Sequence, residues 1–349
     1  MGRIPNFLAL AALALASFAR PRLSAQIAVP PRQFAPGVLT VVPPAPEAQE
    51  LFSGPVALAE IPVALGGLEY EPKLEPKTAT AVERSKDVIL RRPVWNLEFS
   101  FKPLRMLQVD VPQGTGRMQR KLVYYLVYRV RNLGNHYKPK GTDAEISALV
   151  TESVPDAKEL YEKFKDVTNE VEVFGKPTTA LRFFPHFVLS STEYTKEYLD
   201  RVIPAALEPI KAREFPGREN MKLHDSLSIS EVSIPVSEGG EDHGVWGVAT
   251  WIDVDPRIDY FVVYVQGLTN AYRFEDVAGV YKKGDAPGTG RKILNKTLQL
   301  NFWRPGDTVD PHEEEIRLGA RNDPDPAEQQ KILKHYGTDK PIDYLWVYR

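Results

Sequence analysis

The stretch GVWGVATWIDVDPRIDYFVVYVQGLTN, residues 244–270, predicts two β-strands joined at a tight acidic corner. Apolar and aromatic side chains fill 245–252 and 259–267, in runs of a length typical of strands in a sheet. The aspartates and the Asp-Pro step between the runs are the residue types that a sharp change of direction needs. We therefore expect the rest of the chain to be built around these two strands.

Upstream of this pair, the run KLVYYLVYRVR at 121–131 is apolar on both faces for most of its length. Such a strand is typical of the middle of a sheet, where both faces are covered. Before it, 95–101 alternates with a period of two, Pro103 breaks the pattern, and 104–111 resumes it. The sequence NLGN at 132–135 predicts a turn that ends the long strand.

Downstream and between these strands, further segments have strand patterns. Pro185 within 179–190 predicts an edge strand or a bulge, and a slip in the alternation of 226–235 predicts a β-bulge. The segment 294–302 has an apolar face opposite a polar one, and 342–348 predicts a final strand.

Apolar residues at helical spacing predict three inserted helical segments, near 155–167, 194–214 and 326–336. The last has the clearest end signals. Asp325 is an expected N-cap, Pro326 suits the first helical position, and Glu328 completes a capping box with Asp325. Gly337 suits the left-handed position that follows a helix.

Many strands, few helices and no alternation of strand and helix predict a mainly β fold, an antiparallel β-sandwich with a few short helices. The NLGN turn after a strand rich in tyrosine and valine adds an analogy with immunoglobulin-like secreted modules.

The N-terminus predicts a secretory signal peptide at 1–25, with a basic start, an apolar run at 7–19 and a cleavage point after Ala25. A thirteen-residue helix rises about 20 Å, which is too short for a hydrocarbon core of about 30 Å. An uncleaved N-terminal anchor is the alternative. Cleavage would send the chain to the periplasm or outside the cell, with no transmembrane segment left.

Residues 26–90 predict a proline-rich extended arm or linker, because proline lacks the backbone donor that helices and sheets use. Ten prolines lie between Ile27 and Lys77. The alternative is an arm that lies over the core, since Leu51 and Phe52 are apolar enough to dock. The sandwich body would then occupy 91–349.

The composition excludes several kinds of chemistry. The chain has no cysteine, which removes disulfides, thiolate nucleophiles and zinc–sulfur sites. Its formal net charge of −2 gives no overall field for nucleic acid, so we expect no nucleic-acid partner. Neither a GxSxG nucleophile motif nor an HExxH zinc motif occurs in the sequence.

The corner aspartates Asp253, Asp255 and Asp259 are the candidate metal ligands. Three carboxylates at a sheet corner suit Ca²⁺, with backbone carbonyls completing its shell. Their spacing differs from an EF-hand loop, and the alternative is a structural turn. No other cofactor is expected.

Trp246 and Trp251 are the candidate recognition residues. They are five positions apart on one strand and therefore lie on opposite faces. A tryptophan exposed on a sandwich can serve as a platform for a sugar or a protein partner, whereas a buried one belongs to the core.

Four segments together resemble a family of exported planctomycete proteins of unknown function: 99–134, 246–273, LQLNFWRPGD at 298–307 and DYLWVYR at 343–349. The resemblance covers most of 91–349. It implies export and a shared fold, and it carries over no catalytic residues.

These observations favour an exported, non-catalytic structural or binding module of the cell envelope, with an envelope protein or polysaccharide as partner. Two alternatives stay open. One is a β-sandwich enzyme acting on envelope polysaccharide, because paired carboxylates for glycoside cleavage are a spatial feature that a sequence does not reveal. The other is a calcium-dependent adhesion or scaffold domain that uses the acidic corner.

Overall fold

The computed structural model describes residues 39–53, 90–142, 165–173, 176–218, 220–277, 279–280, 289–305 and 316–349. The predicted signal peptide, most of the proline-rich arm and residues 155–164 of the first expected helix lie outside these ranges. No helix in the described part of the chain is long and apolar enough to cross a lipid bilayer.

The described chain is mainly β. The strands are, in chain order, β1 Leu39–Val41, β2 Phe52–Ser53, β3 Leu90–Arg91, β4 Val94–Phe101, β5 Arg105–Pro112, β6 Met118–Pro139, β7 Lys165–Thr168, β8 Val171–Val173, β9 Lys176–Thr178, β10 Leu181–Arg182, β11 His186–Ser191, β12 Lys196–Leu199, β13 Ser233–Ile234, β14 Val245–Ile252, β15 Tyr260–Gln266, β16 Tyr272–Asp276, β17 Arg291–Trp303, β18 Arg317–Leu318 and β19 Tyr344–Tyr348. The helices are α1 Ala48–Leu51, α2 Pro204–Glu214 and α3 Pro326–Tyr336, with a 3₁₀ turn at Ser228–Glu231.

The first large sheet is built around β6. Strands β4 and β5 pair with successive halves of one edge of β6, β14 and β7 pair along the other edge, and β1 adds outside β4. All of these pairings are antiparallel. The central position predicted for 121–131 is confirmed, because Tyr124 and Tyr128 enter one buried cluster while Tyr125 and Val127 enter another.

The second large sheet is built around β17 and is also antiparallel. Strands β15 and β16 pair with one edge of β17, β18 and β19 pair with the other, and β11 and β12 extend the sheet beyond β15. Strands β14 and β15, the two predicted from 244–270, therefore belong to different sheets, and the corner between them is the crossing point.

One shared core joins the inner faces of the two sheets. Phe99 and Tyr128 of the first sheet stack with ring centroids 5.5 Å apart. Phe187 of the second sheet lies 4.9 Å from the Tyr128 ring and 6.4 Å from that of Trp251. Such aromatic pairs add about 0.5–1.5 kcal/mol each beyond the area they bury, so this cluster holds the sheets together.

Each sheet carries a helix on its outer face. Ile203 and Ile210, at the start of and within α2, pack on Val123 and Val248 of the first sheet. Ile332 and Tyr336 of α3 pack on Val262 of the second sheet. Both sheets are therefore buried on two sides.

Two of the three helical segments differ from the prediction. Lys165–Thr168, at the end of the segment predicted as a helix at 155–167, is a strand that pairs with β6. Within 194–214, only Pro204–Glu214 is helical, because Lys196–Leu199 forms an edge strand on β11. In both cases pairing with a neighbouring strand outweighs local helical spacing.

The third predicted helix is confirmed, with one change at its N-terminus. The Asp325 carboxylate accepts from the backbone N–H of Ala327, and Gly337 follows with φ of 65°. Glu328 does not close the capping box, because Asp323 accepts from the Asp325 N–H while Glu328 pairs with Lys331.

The NLGN sequence does not end its strand. Strand β6 continues to Pro139, and the pairing register with β4 shifts between Trp95 and Leu97, opposite 132–136. Gly134 has φ of 75°, and the Asn132 carboxamide oxygen accepts its N–H at 3.0 Å. The turn residues therefore produce a β-bulge inside a 22-residue strand.

Three other strand predictions need correction. Pro185 separates two strands, β10 and β11, where one was predicted. The predicted bulged strand at 226–235 is a 3₁₀ turn followed by the two residues of β13. The polar face of β17 is buried from Thr297 to Asn301, where the Gln299 amide donates to the Tyr336 carbonyl of α3 at 2.8 Å.

Candidate functional site

The acidic corner joins the ends of β14 and β15 and is the site that the sequence singled out. Asp253 takes the left-handed backbone conformation, with φ of 60°, which aspartate tolerates better than most residues. Its exposed carboxylate lies 2.7 Å from the ammonium of Lys121 on β6. The first of the three aspartates is therefore paired with a cation of the neighbouring strand.

Asp255 is buried, with 8% of its surface exposed. Its carboxylate accepts from the Lys196 ammonium at 2.7 Å and from the Arg257 guanidinium at 2.9 and 3.0 Å. These hydrogen bonds, the Arg257 contacts first, hold the pKa of the Asp255 carboxyl well below its usual range. Because Lys196 lies on β12 of the second sheet, the Asp255–Lys196 pair fastens the corner to that sheet.

Asp259 is held at the start of β15 through its backbone. Its N–H donates to the Glu193 carboxylate at 3.1 Å, and its carbonyl accepts from the Arg304 N–H at 2.9 Å. Within the described ranges, no three His, Asp or Glu side chains are grouped so as to hold a metal ion. The calcium hypothesis for Asp253, Asp255 and Asp259 stays a prediction, and this arrangement gives it no support.

The two candidate tryptophans lie on opposite faces of β14, as their spacing predicted. Trp251 is fully buried among Phe187 and its neighbours in the core between the sheets. A side chain with 0% exposure has no surface to offer a ligand, so Trp251 contributes to packing. Recognition at this strand is left to Trp246, which is half-buried on the outer face.

Trp246 forms an aromatic platform that packs on Phe215, a buried residue that follows α2. Their rings meet edge to face, with centroids 5.0 Å apart. The Arg129 guanidinium lies 5.9 Å from the Trp246 ring, and the Lys102 ammonium lies 4.1 Å from the Phe215 ring. Aromatic faces flanked by cations are suited to sugars and to anionic groups.

A buried carboxylate lies beneath this platform. The Glu214 side chain pairs with Arg105 at 2.9 Å and Lys102 at 3.4 Å, and accepts from the Tyr125 hydroxyl at 2.9 Å. Burial, followed by the Glu214 charge, raises the pKa of Tyr125. Sequence patterns did not predict this cluster, because its members come from β5, β6, α2 and the turn between β4 and β5.

A second cluster missed by sequence reasoning surrounds Asp200. Its carboxylate accepts from the Thr250 backbone N–H at 2.7 Å and from the Ser226 hydroxyl. Burial raises the pKa of Asp200, and the nearby charge of Asp225 adds to the rise. Asp200, Asp225 and Ser226 lie on loops beside β14, where loop conformation sets the arrangement, so periodicity in the sequence could not reveal them.

Comparison of the chain with protein-family models, with curated proteins and with solved structures found no match in any of the three. The resemblance to an exported planctomycete family therefore stays a prediction.

Proposed function

We propose that this protein is an exported, non-catalytic β-sandwich module, immunoglobulin-like in type, that serves as a structural or binding part of the cell envelope. Export rests on the predicted signal peptide at 1–25. The sandwich interpretation is supported by two antiparallel sheets whose inner side chains form one core. The binding role rests on the Trp246 platform.

One observation carries the non-catalytic interpretation. The four carboxylates of the described residues with at most 9% exposure are each paired with a cation at 2.7–3.0 Å: Glu50 with Lys296, Glu98 with Arg131, Glu214 with Arg105 and Asp255 with Lys196. The half-buried Asp200 does not belong to this set. A general acid or base needs a reachable carboxyl whose pKa lies near the working pH. Carboxylates neutralised by partners from other strands are typical of structural cross-links.

A binding experiment with matched variants tests this proposal. The mature protein would be titrated with soluble envelope polysaccharides and envelope proteins, while the same mixtures are assayed for cleavage. We expect binding without turnover, with affinity reduced at least about tenfold in Trp246→Ala. Trp303→Ala, another half-buried tryptophan on the second sheet, is the control that should keep full affinity. Cleavage of a polysaccharide, or equal affinity in Trp246→Ala and wild type, would overturn the proposal.

Asp200 favours a second candidate, an enzyme acting on polysaccharide. A carboxyl with a raised pKa close to a second carboxylate, here Asp225, is the combination used in glycoside hydrolysis. In this case Asp200 would be the acid and Asp225 the base. Turnover that is lost in both Asp200→Asn and Asp225→Asn, and retained in Trp246→Ala, would establish this candidate in place of the first.

A further inference from the structure

The N-terminal segment 39–53 is bound to both large sheets. Strand β1 pairs with the edge of β4, with Leu39 opposite Phe101 and Val41 opposite Phe99. Leu39 and Val41 are buried in the core between the sheets. The segment therefore supplies an edge strand and part of the apolar core, although the strand is only three residues long.

The same segment makes a charged contact with the second sheet. Glu50, in the single turn of α1, has its carboxylate 3.0 Å from the Lys296 ammonium, and both side chains are almost fully buried. The Tyr348 hydroxyl also donates to Glu50. Just before this turn, Arg273 binds the Glu47 carboxylate at 2.5 Å. Arg273 on β16, Lys296 on β17 and Tyr348 on β19 thus form a surface, here called the groove, that binds two glutamates three positions apart.

Apolar and backbone contacts complete the fit of segment 39–53 in this groove. Leu51 and Phe52 are buried, with 0% and 1% exposure. The Arg92 guanidinium donates to the Gln49 carbonyl at 2.6 Å and lies 4.2 Å from the Tyr272 ring. The groove therefore recognises an acidic segment followed by two apolar residues, which is the sequence of this chain at 47–52.

The connection between segment and body does not dictate which molecule supplies the segment. Phe52 pairs with Arg91, so the chain leaves the groove and returns to it at neighbouring positions. Residues 54–89, 36 positions, lie between. A chain of that length spans at most about 120 Å when extended, so it is long enough to reach the same groove of a second molecule.

Docking of the segment leaves one charged group incompletely satisfied. Arg92 is 9% exposed, and its Nε and Nη1 groups have no hydrogen-bond partner in the described part of the chain. Buried donors without acceptors reduce the net gain from the contacts around them. The docked segment has these same contacts, Arg92 included, whether its own chain or a second copy supplies it, so the contacts themselves do not select between the two sources.

We propose that segment 39–53 is an exchangeable strap, which binds either its own body or the body of a second copy of this chain. Exchange of an identical element makes no new contact type and links molecules through β1 and the Glu50 contact. An exported module could assemble on itself in this way.

Cysteine cross-linking tests the exchange directly, because the native chain has no cysteine. Thr40 and Ser100 are opposite each other on β1 and β4, with their hydroxyl oxygens 2.9 Å apart. Protein carrying Thr40→Cys would be mixed with protein carrying Ser100→Cys at about 0.5 mM, because a high protein concentration favours contact between molecules. A disulfide between the two chains forms where the strap of one reaches the strand of the other.

We expect a covalent dimer of the two variants, reversed by reductant. The double variant Thr40→Cys/Ser100→Cys, diluted to avoid contact between molecules, should close the bridge within one chain and shows that the geometry permits it. A mixture that stays monomeric while the double variant closes would overturn the proposal.

Removing the Glu50 charge supplies a second test. The dimer yield should change in opposite directions, depending on which of the two partners carries the substitution. Glu50→Gln in the Thr40→Cys partner weakens the incoming strap and should lower the dimer yield at least about tenfold. The same change in the Ser100→Cys partner weakens the resident strap and should raise the yield. Glu328→Gln, at an exposed pair, is the control that should leave both yields unchanged. With non-specific association, the change in dimer yield would not depend on which partner carries Glu50→Gln. Equal changes in yield for the two partners would therefore overturn the exchange mechanism.

Discussion

The carboxylate of Glu50 lies 3.0 Å from the ammonium of Lys296, although 246 positions separate the two residues in the chain. With side-chain exposures of 0% and 4%, the pair is shielded from water. It connects the N-terminal segment to β17, the central strand of the second sheet. The folded part of the protein therefore begins well before residue 91, and for 39–53 the interpretation as an arm lying over the core is the appropriate one.

Glu50→Gln is expected to lower the free energy of unfolding by about 3–5 kcal/mol, because it leaves the Lys296 charge buried without its partner. Urea unfolding followed by tryptophan fluorescence measures the change. Glu328→Gln removes a partner of the exposed Lys331 and should cost less than about 1 kcal/mol. Similar losses in the two variants would contradict the burial argument.

Asp255→Asn should destabilise the protein at neutral pH by about 2 kcal/mol, through the loss of charged hydrogen bonds to Arg257 and Lys196. The folded pKa of Asp255 lies below its unfolded value of about 3.9. Its stabilising effect is therefore present above that value and is lost as the pH falls. The difference in unfolding free energy between wild type and variant should shrink steadily as the pH falls from about 4 towards 2. A constant difference across this window would contradict the assignment.

Asp200→Asn should behave in the opposite way. Burial raises the folded pKa of Asp200 above its unfolded value, so ionisation of this carboxyl opposes folding at neutral pH. Wild type should gain stability as the pH falls through the folded pKa, and the variant should lack this gain. Unfolding measured from pH 7 to pH 4 checks it, with the exposed Asp110→Asn as the control. A wild-type profile that the variant reproduces would disprove the prediction.

Gly247→Ala tests the fit between β14 and Tyr128. A Cβ atom at Gly247 would lie 2.5 Å from the Tyr128 ring carbon Cζ, so the buried ring must move. We expect a loss of about 1–3 kcal/mol in unfolding free energy. Gly114→Ala has open space around the added carbon and should be close to neutral. Equal thermal midpoints for the two variants would show that the ring adjusts freely.

Trp251→Ala and Trp246→Ala should separate packing from recognition. Removing the fully buried Trp251 ring should cost about 3–5 kcal/mol through the cavity it leaves. Trp246 is half-buried, so its truncation should cost clearly less stability. Chemical denaturation of both variants measures the difference. A larger loss of unfolding free energy for Trp246→Ala than for Trp251→Ala would contradict this prediction and give the main structural role to the outer face of β14.

Several features of the fold were predictable because the local periodicity of apolar residues determines them. The strand pair of 244–270, the central strand at 121–131 and the helix from Pro326 each show a pattern that nearest neighbours in the chain determine. Their caps and alternation depend on residues a few positions apart. The NLGN sequence shows the limit of such predictions, since its turn residues form a β-bulge within the strand instead of ending the strand.

The candidate site was the least predictable part, for a physical reason. Residue order is enough to place aspartates at the corner, to put Trp246 and Trp251 on opposite faces of one strand, and to rule out cysteine chemistry. Pairing of Lys121 and Lys196 with two of those aspartates, and burial of one tryptophan, arise only in the folded chain. Charge pairing and burial depend on which strands become neighbours in space, and that is set by the packing of the two sheets.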